Sequence, residues 1–161
     1  MKYLRWVIGF MLAAGGVLGI LGSAPMVLRF VQQREGLRTF EAIVGVGLFV
    51  WSIAAGIALW RAAPRGYRWA KVLFALQILT FSVTRFAYEF STFFSFRLMM
   101  GATTHHIGGN IGSSSNIYWS PQPVGWMFGI NIVAVVALLS LLKAPLSSTM
   151  MRQPRGSKVG L

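Results

Sequence analysis

Arg85 and Glu89 stand four residues apart in a largely apolar stretch, and of all the side chains they are the best placed to do chemistry. On a helix that spacing puts them one turn apart on the same flank, where each can neutralise the other. At roughly 100° per residue, Gln77, Thr80, Thr84, Tyr88 and Ser91 form a polar stripe beside them. A polar stripe in lipid faces protein or water, and charges within a membrane mark a substrate, ion or proton site by default. Such a site would combine the stripe with Arg85, Glu89 and Asn131, and Arg85 would favour an anionic substrate. The structural alternative is a self-neutralised pair near an interface, with Arg85 reaching toward headgroups.

His105 and His106 are the second candidates. Adjacent side chains point apart in a helix or strand, and no Asp, Glu or Cys lies between residues 91 and 123 to complete a metal site. As the only two histidines they could sense pH, or one could serve as base in a lipid-directed enzyme with Arg85 holding phosphate. The simpler reading makes them solvated loop side chains. No metal and no cofactor is expected. The absence of cysteine excludes thiol redox chemistry, disulfides and thiolate metal sites. No single motif settles the function.

The elements that must position these residues are four apolar stretches, at about 6–28, 42–60, 70–94 and 124–142. A bilayer core of about 30 Å takes roughly 20 helical residues to cross. In lipid the segments must be helices, because an open strand would leave backbone groups unsatisfied. The expected fold is therefore an all-α membrane protein: four transmembrane helices in an antiparallel bundle over residues 1–143. One sizeable outer loop, 91–123, joins helices 3 and 4, and a basic, flexible cytoplasmic tail follows at 144–161. The composition agrees, with 55% hydrophobic and 11% charged residues against about 25% charged in soluble domains. Lys2 and Arg5 precede an apolar run longer than the roughly 7–15 residues of a secretory signal, so the first stretch is expected to stay as a span.

The net charge is +12, from 15 Lys and Arg against 3 Asp and Glu. The basic residues sit mainly at span ends, which points to membrane orientation and anionic headgroups, not nucleic acid. Lys2, Arg5, Arg61, Arg65, Arg68, Lys71, Lys143, Arg152, Arg155 and Lys158 fall on one side of a four-span chain. Arg29, Arg34, Arg38 and Arg97 fall on the other, a tally of 10 against 4. Both termini are thus expected in the cytoplasm and loop 91–123 outside, with a bacterial inner membrane as the setting.

The third span is the least ordinary. Only 13 uncharged residues separate Lys71 from Arg85, so a full crossing must include Arg85. That residue would lie roughly 21 Å beyond Lys71, in the outer third of the bilayer. Asn131, about two turns inside the fourth span, could bond Arg85 or Thr84 and pin spans three and four together.

Small residues line the first two spans: Gly9, Ala13, Gly16, Gly19 and Ser23, then Gly45, Ser52 and Gly56. They let helix backbones approach closely, either within this chain or against a partner or second copy. In the loop, Phe93–Met100 would prolong the third helix or lie along the interface. Gly108, Gly109 and Asn110 would turn between two short strands. With no convergent catalytic set, the expected function is that of a non-catalytic inner-membrane protein acting by association. It would be a small subunit, assembly factor or immunity-type protein, bound to other membrane subunits or to itself. The alternative is a small oligomeric transporter or channel built on the polar stripe.

Overall fold

A computed structural model describes residues 2–101 and 105–143 of the chain. Its elements are α1 (Lys2–Gln32), α2 (Gly36–Trp60), α3 (Pro64–Ile78), β1 (Leu79–Ser91), β2 (Phe94–Gly101), β3 (His105–Ile111), β4 (Ser114–Asn131) and α4 (Ile132–Lys143). The sequence expectation of an all-α four-helix bundle is therefore wrong: an antiparallel sheet stands where two half-spans and the outer loop were expected. The tail 144–161 lies outside the described residues.

α1 and α2 form an antiparallel hairpin joined through Gln33–Glu35, where Arg34 takes a left-handed φ of 55°. Both are long and apolar enough to cross a membrane, with mean hydropathy 2.0 and 2.3 over their most apolar windows. Small residues bring them together. A Cβ on Gly56 would fall 2.5 Å from the Gly9 carbonyl and 2.8 Å from the Ala13 nitrogen. The Phe49 ring fills the space left by Gly19, and Ile53 with the Phe49 carbonyl fills that left by Gly16. The Ser52 hydroxyl, buried in the seam, donates to the Leu12 carbonyl at 2.8 Å, so it costs the interface no unpaired polar group.

Ala62, left-handed at φ 56°, ends α2, and Pro64 opens α3 with φ already suited to a helix. α3 packs back on α2 through Gly66, which rests against Ala58 and Leu59. It stops at Ile78, since Leu79 is extended. Beyond it the sequence is dense in β-branched and aromatic residues, and its burial alternates: Thr80 and Ser82 in, Val83 out. That period of two belongs to a strand. α3 and α4, with 15 and 12 residues, are only about 22 and 18 Å long, short of the roughly 30 Å of a bilayer core.

The sheet order is β1-β4-β2-β3, all antiparallel. Its two long strands bend in mid-course. The β1–β4 register breaks on both sides of Thr84, whose φ is 55°. Past this bend the chain reverses: the Phe81 ring lies 5.8 Å from Phe86 and 5.7 Å from Tyr88. A straight strand would hold residues 81 and 86 about 17 Å apart. The sheet thus folds over on itself into two layers.

One layer, Phe86–Ser91 with Ser114–Trp119, lies on the α1–α2 hairpin. Ser113 donates to the Gly15 carbonyl (2.5 Å), Ser115 sits against Gly45, and the Trp119 N–H donates to Glu41 (2.9 Å). The other layer, Leu79–Ser82 with Met127–Ile130, carries β2 and β3. Two loop expectations are corrected here. Phe94–Met100 is strand β2, neither a helix extension nor an interfacial helix, and Gly108, Gly109 and Asn110 lie within β3 opposite Arg97, Phe96 and Ser95. The apolar core sits at the helical end, where Leu12, Phe49, Leu59, Leu73, Phe74 and Leu141 are buried.

Candidate functional site

The folded sheet forms an open-mouthed cavity of about 230 Å³. Thr80, Phe81, Ser82, Gly125 and Met127 come from one layer, and Ala87, Tyr88, Glu89, Asn116 and Tyr118 from the other. Strand alternation explains much of the set: Thr80 and Ser82 share a face of β1's first arm, and Ala87 and Glu89 share a face of its second, while Phe81 and Tyr88 belong to the opposite face, with their rings 5.7 Å apart.

Glu89 clasps the two layers. Its Oε1 accepts from the Arg97 Nη1 and from the Ser114 hydroxyl at 2.8 Å, while Oε2 accepts from the Asn116 amide at 3.3 Å. Burial works against its charge, but the bonds from Arg97, Ser114 and Asn116 outweigh it and hold the carboxyl below its ordinary value. The pair is lopsided, with the Arg97 side chain 9% exposed and that of Glu89 25%. The carboxylate is the end that meets the cavity; Arg97 stands behind it and is not part of the wall.

This corrects the expected pairing. Arg85 is exposed just past the bend in β1 and does not partner Glu89. Four residues apart on a strand also place two side chains on one face, but about 13 Å apart along it. Arg85 does not line the cavity, so the argument for an anionic substrate there loses its basis. Thr84 is exposed at the bend. Tyr88 stays by the cavity and its hydroxyl donates to the Leu76 carbonyl at 2.9 Å.

Gln77 and Asn131 lie where helices give way to strands. Gln77 Oε1 accepts from the Thr92 backbone N–H (3.2 Å) and hydroxyl (3.1 Å), tying the end of α3 to the turn before β2. Asn131 caps α4: its Oδ1 accepts from the Val133 N–H at 3.2 Å and from Phe96 N–H at 3.3 Å. It bonds neither Arg85 nor Thr84. Several buried groups here have no partner among the described residues: Gln77 Nε2, Asn131 Nδ2, Thr80 Oγ1, and Arg97 Nε and Nη2. Apart from the hydroxyl, all are donors only.

The remaining candidates are placed as follows. Gly9, Ala13, Gly16 and Gly19 meet Gly56, Ser52 and their neighbours within the α1–α2 seam, and Gly45 meets β4. Ser23 lines a groove of about 320 Å³ between the hairpin and β4, with Arg38, Glu41 and Tyr118. His105 and His106 are exposed on β3 opposite Met100 and Met99. Among the described residues no three His, Asp or Glu side chains gather as metal ligands would.

Sequence reasoning missed Arg97, Ser114 and Asn116 as partners of Glu89. The available signal was the alternation of Phe86, Tyr88 and Phe90 with Ala87, Glu89 and Ser91, which marks a strand needing cross-strand neighbours. Compared with known protein families, curated proteins and solved structures, the chain matches none.

Proposed function

We propose that this chain is a non-catalytic, membrane-anchored protein that works by association, docking a strand of another membrane polypeptide on the edge of its sheet. The observation that carries the proposal is the outer face of that sheet. Leu79, Ile130, Leu98 and Ile107 are register neighbours in one row across all four strands, and all are exposed. Phe128 and Met100 extend the row on one side, Phe96 on the other. Beside them runs β3, which pairs only with β2 among the described residues. An open edge next to an apolar face is a template for a further strand.

The anchor makes the edge consequential. The turn before β2 rests on Gly15, halfway along α1. With α1 and α2 crossing a bilayer, the base of the sheet lies at membrane depth. Unpaired strand groups are costly there, and a partner strand removes the cost. The orientation follows from charge: Lys2, Arg5, Arg61, Arg65, Arg68, Lys71 and Lys143 gather at the helical end, which is the cytoplasmic end. The sheet then lies toward the outside, in what we take to be a bacterial inner membrane with anionic headgroups.

Ile107 and Ile111 are 67% and 78% exposed, so lysines there charge the edge without touching the core. Solubilisation of native membranes in mild detergent is expected to yield the protein in a complex, and Ile107→Lys with Ile111→Lys to release it. Recovery of the unaltered protein alone and monomeric would overturn the proposal.

A further inference from the structure

We propose that the cavity inside the folded sheet binds a small organic ammonium ion, held by the Glu89 carboxylate and the ring of Tyr118. This goes beyond association through the sheet edge and stands on different residues. Three observations lead to it.

The first is charge. Among the described residues of the wall, Glu89 is the one charged group. The guanidinium that pairs with it lies behind it and is more deeply buried. A ligand entering the cavity meets the carboxylate first. Oε1 is already taken by two donors, whereas Oε2 has only the long bond from Asn116, which leaves it free to accept. An anion would face this carboxylate with no exposed cation to oppose it.

The second is the walls. Tyr118 shares the face of Glu89, diagonal to it across the β1–β4 pair, and lines the cavity with Met127. Aromatic faces attract cations through the ring quadrupole, so an alkylammonium group held at Glu89 can lie against the Tyr118 ring.

The third is an unused polar group. Thr80 lines the cavity and is 2% exposed, and its hydroxyl, buried behind the wall, has no partner among the described residues. It can accept an ammonium N–H or bond a hydroxyl on the ligand. The volume, about 230 Å³, falls below the roughly 300 Å³ at which pockets begin to take drug-sized ligands. It suits a headgroup-sized amine such as ethanolamine or choline. The same chemistry comes free in solution or on a zwitterionic lipid.

The test is calorimetric titration of the full chain, in nanodiscs of phosphatidylglycerol, with ethanolamine, choline and sodium acetate. Saturable binding of an amine and none of acetate is expected. Tyr118→Leu and Glu89→Gln should each weaken amine binding by about tenfold or more, and Arg85→Ala should leave it unchanged. Tyr118 is 40% exposed, so its replacement tests the site even if Glu89→Gln unsettles the sheet. Repeating the titration in phosphatidylcholine nanodiscs separates the sources. Weakened choline binding there identifies a lipid headgroup as the ligand, and unchanged binding identifies a free amine. No saturable amine binding, equal binding in Tyr118→Leu, or preference for acetate would overturn the proposal.

Discussion

The two ends of this molecule solve the burial problem in opposite ways. At the helical end, α1, α2, α3 and α4 pack through glycines, alanines and aliphatic side chains, and the buried Ser52 has its bond. At the sheet end an ion pair, a glutamine, an asparagine and a threonine are buried, with five side-chain atoms unsatisfied among the described residues, whereas the helical end has one, Arg5 Nε. Packing alone does not require such groups, and an unpaired buried donor costs about 1–3 kcal/mol. The helical end reads as a frame, and the sheet end as the place where polar groups are kept for use.

That contrast predicts separable failures. The largest follows Glu89→Ala, which leaves Arg97 buried without its partner. A loss of about 3 kcal/mol is expected, at the low end for broken buried pairs because Glu89 is partly exposed. Hydrogen exchange should rise across β1, β2 and β4 while the α1–α2 seam stays protected. Gly56→Val should do the reverse. Its added carbons meet backbone atoms of Gly9 and Ala13, and a loss of about 2 kcal/mol is expected, read as faster exchange in α1 and α2. If both variants loosen both ends equally, the division is wrong.

Acid should act as a milder form of the first change. The carboxyl of Glu89 is held below its ordinary value of about 4.5 in the folded protein. A depressed acid contributes stability above its unfolded value and loses it as pH falls through the folded one. The sheet should therefore loosen on acidification below about 4.5, with Glu89→Gln showing less dependence. The smallest effect is a gain. Thr84 is β-branched at φ 55°, a conformation that Asn tolerates better. Thr84→Asn should stabilise the sheet by about 0.5 kcal/mol, measurable as a raised unfolding midpoint.

The same division marks where the sequence was legible. α1 and α2 were readable because each is a long apolar run whose small residues recur at helical spacing. Small residues at that spacing need only one neighbouring helix, and the neighbour is close in sequence. The stretch after Ile78 is misleading because its length and apolarity match a span while its period of two belongs to a strand. Thr80, Val83, Thr84 and Phe86 favour strands, and Pro121 and Pro123 lie just ahead of the expected fourth span. The Glu89–Arg97 contact was out of reach for a further reason. It depends on the bend at Thr84 and on β2 pairing across β4, and both are tertiary outcomes that local pattern does not encode. Arg85 was the obvious local partner, and the change from helix to strand removed it.

The central claim is that Glu89 clasps a folded sheet through Arg97, not a helix through Arg85. A double-mutant cycle tests it most directly, comparing Glu89→Ala with Arg97→Ala and with Arg85→Ala by unfolding free energy. A coupling of at least about 1 kcal/mol to Arg97, and within about 0.3 kcal/mol of zero to Arg85, is predicted. Coupling to Arg85 with none to Arg97 would contradict the account and restore the helical third span.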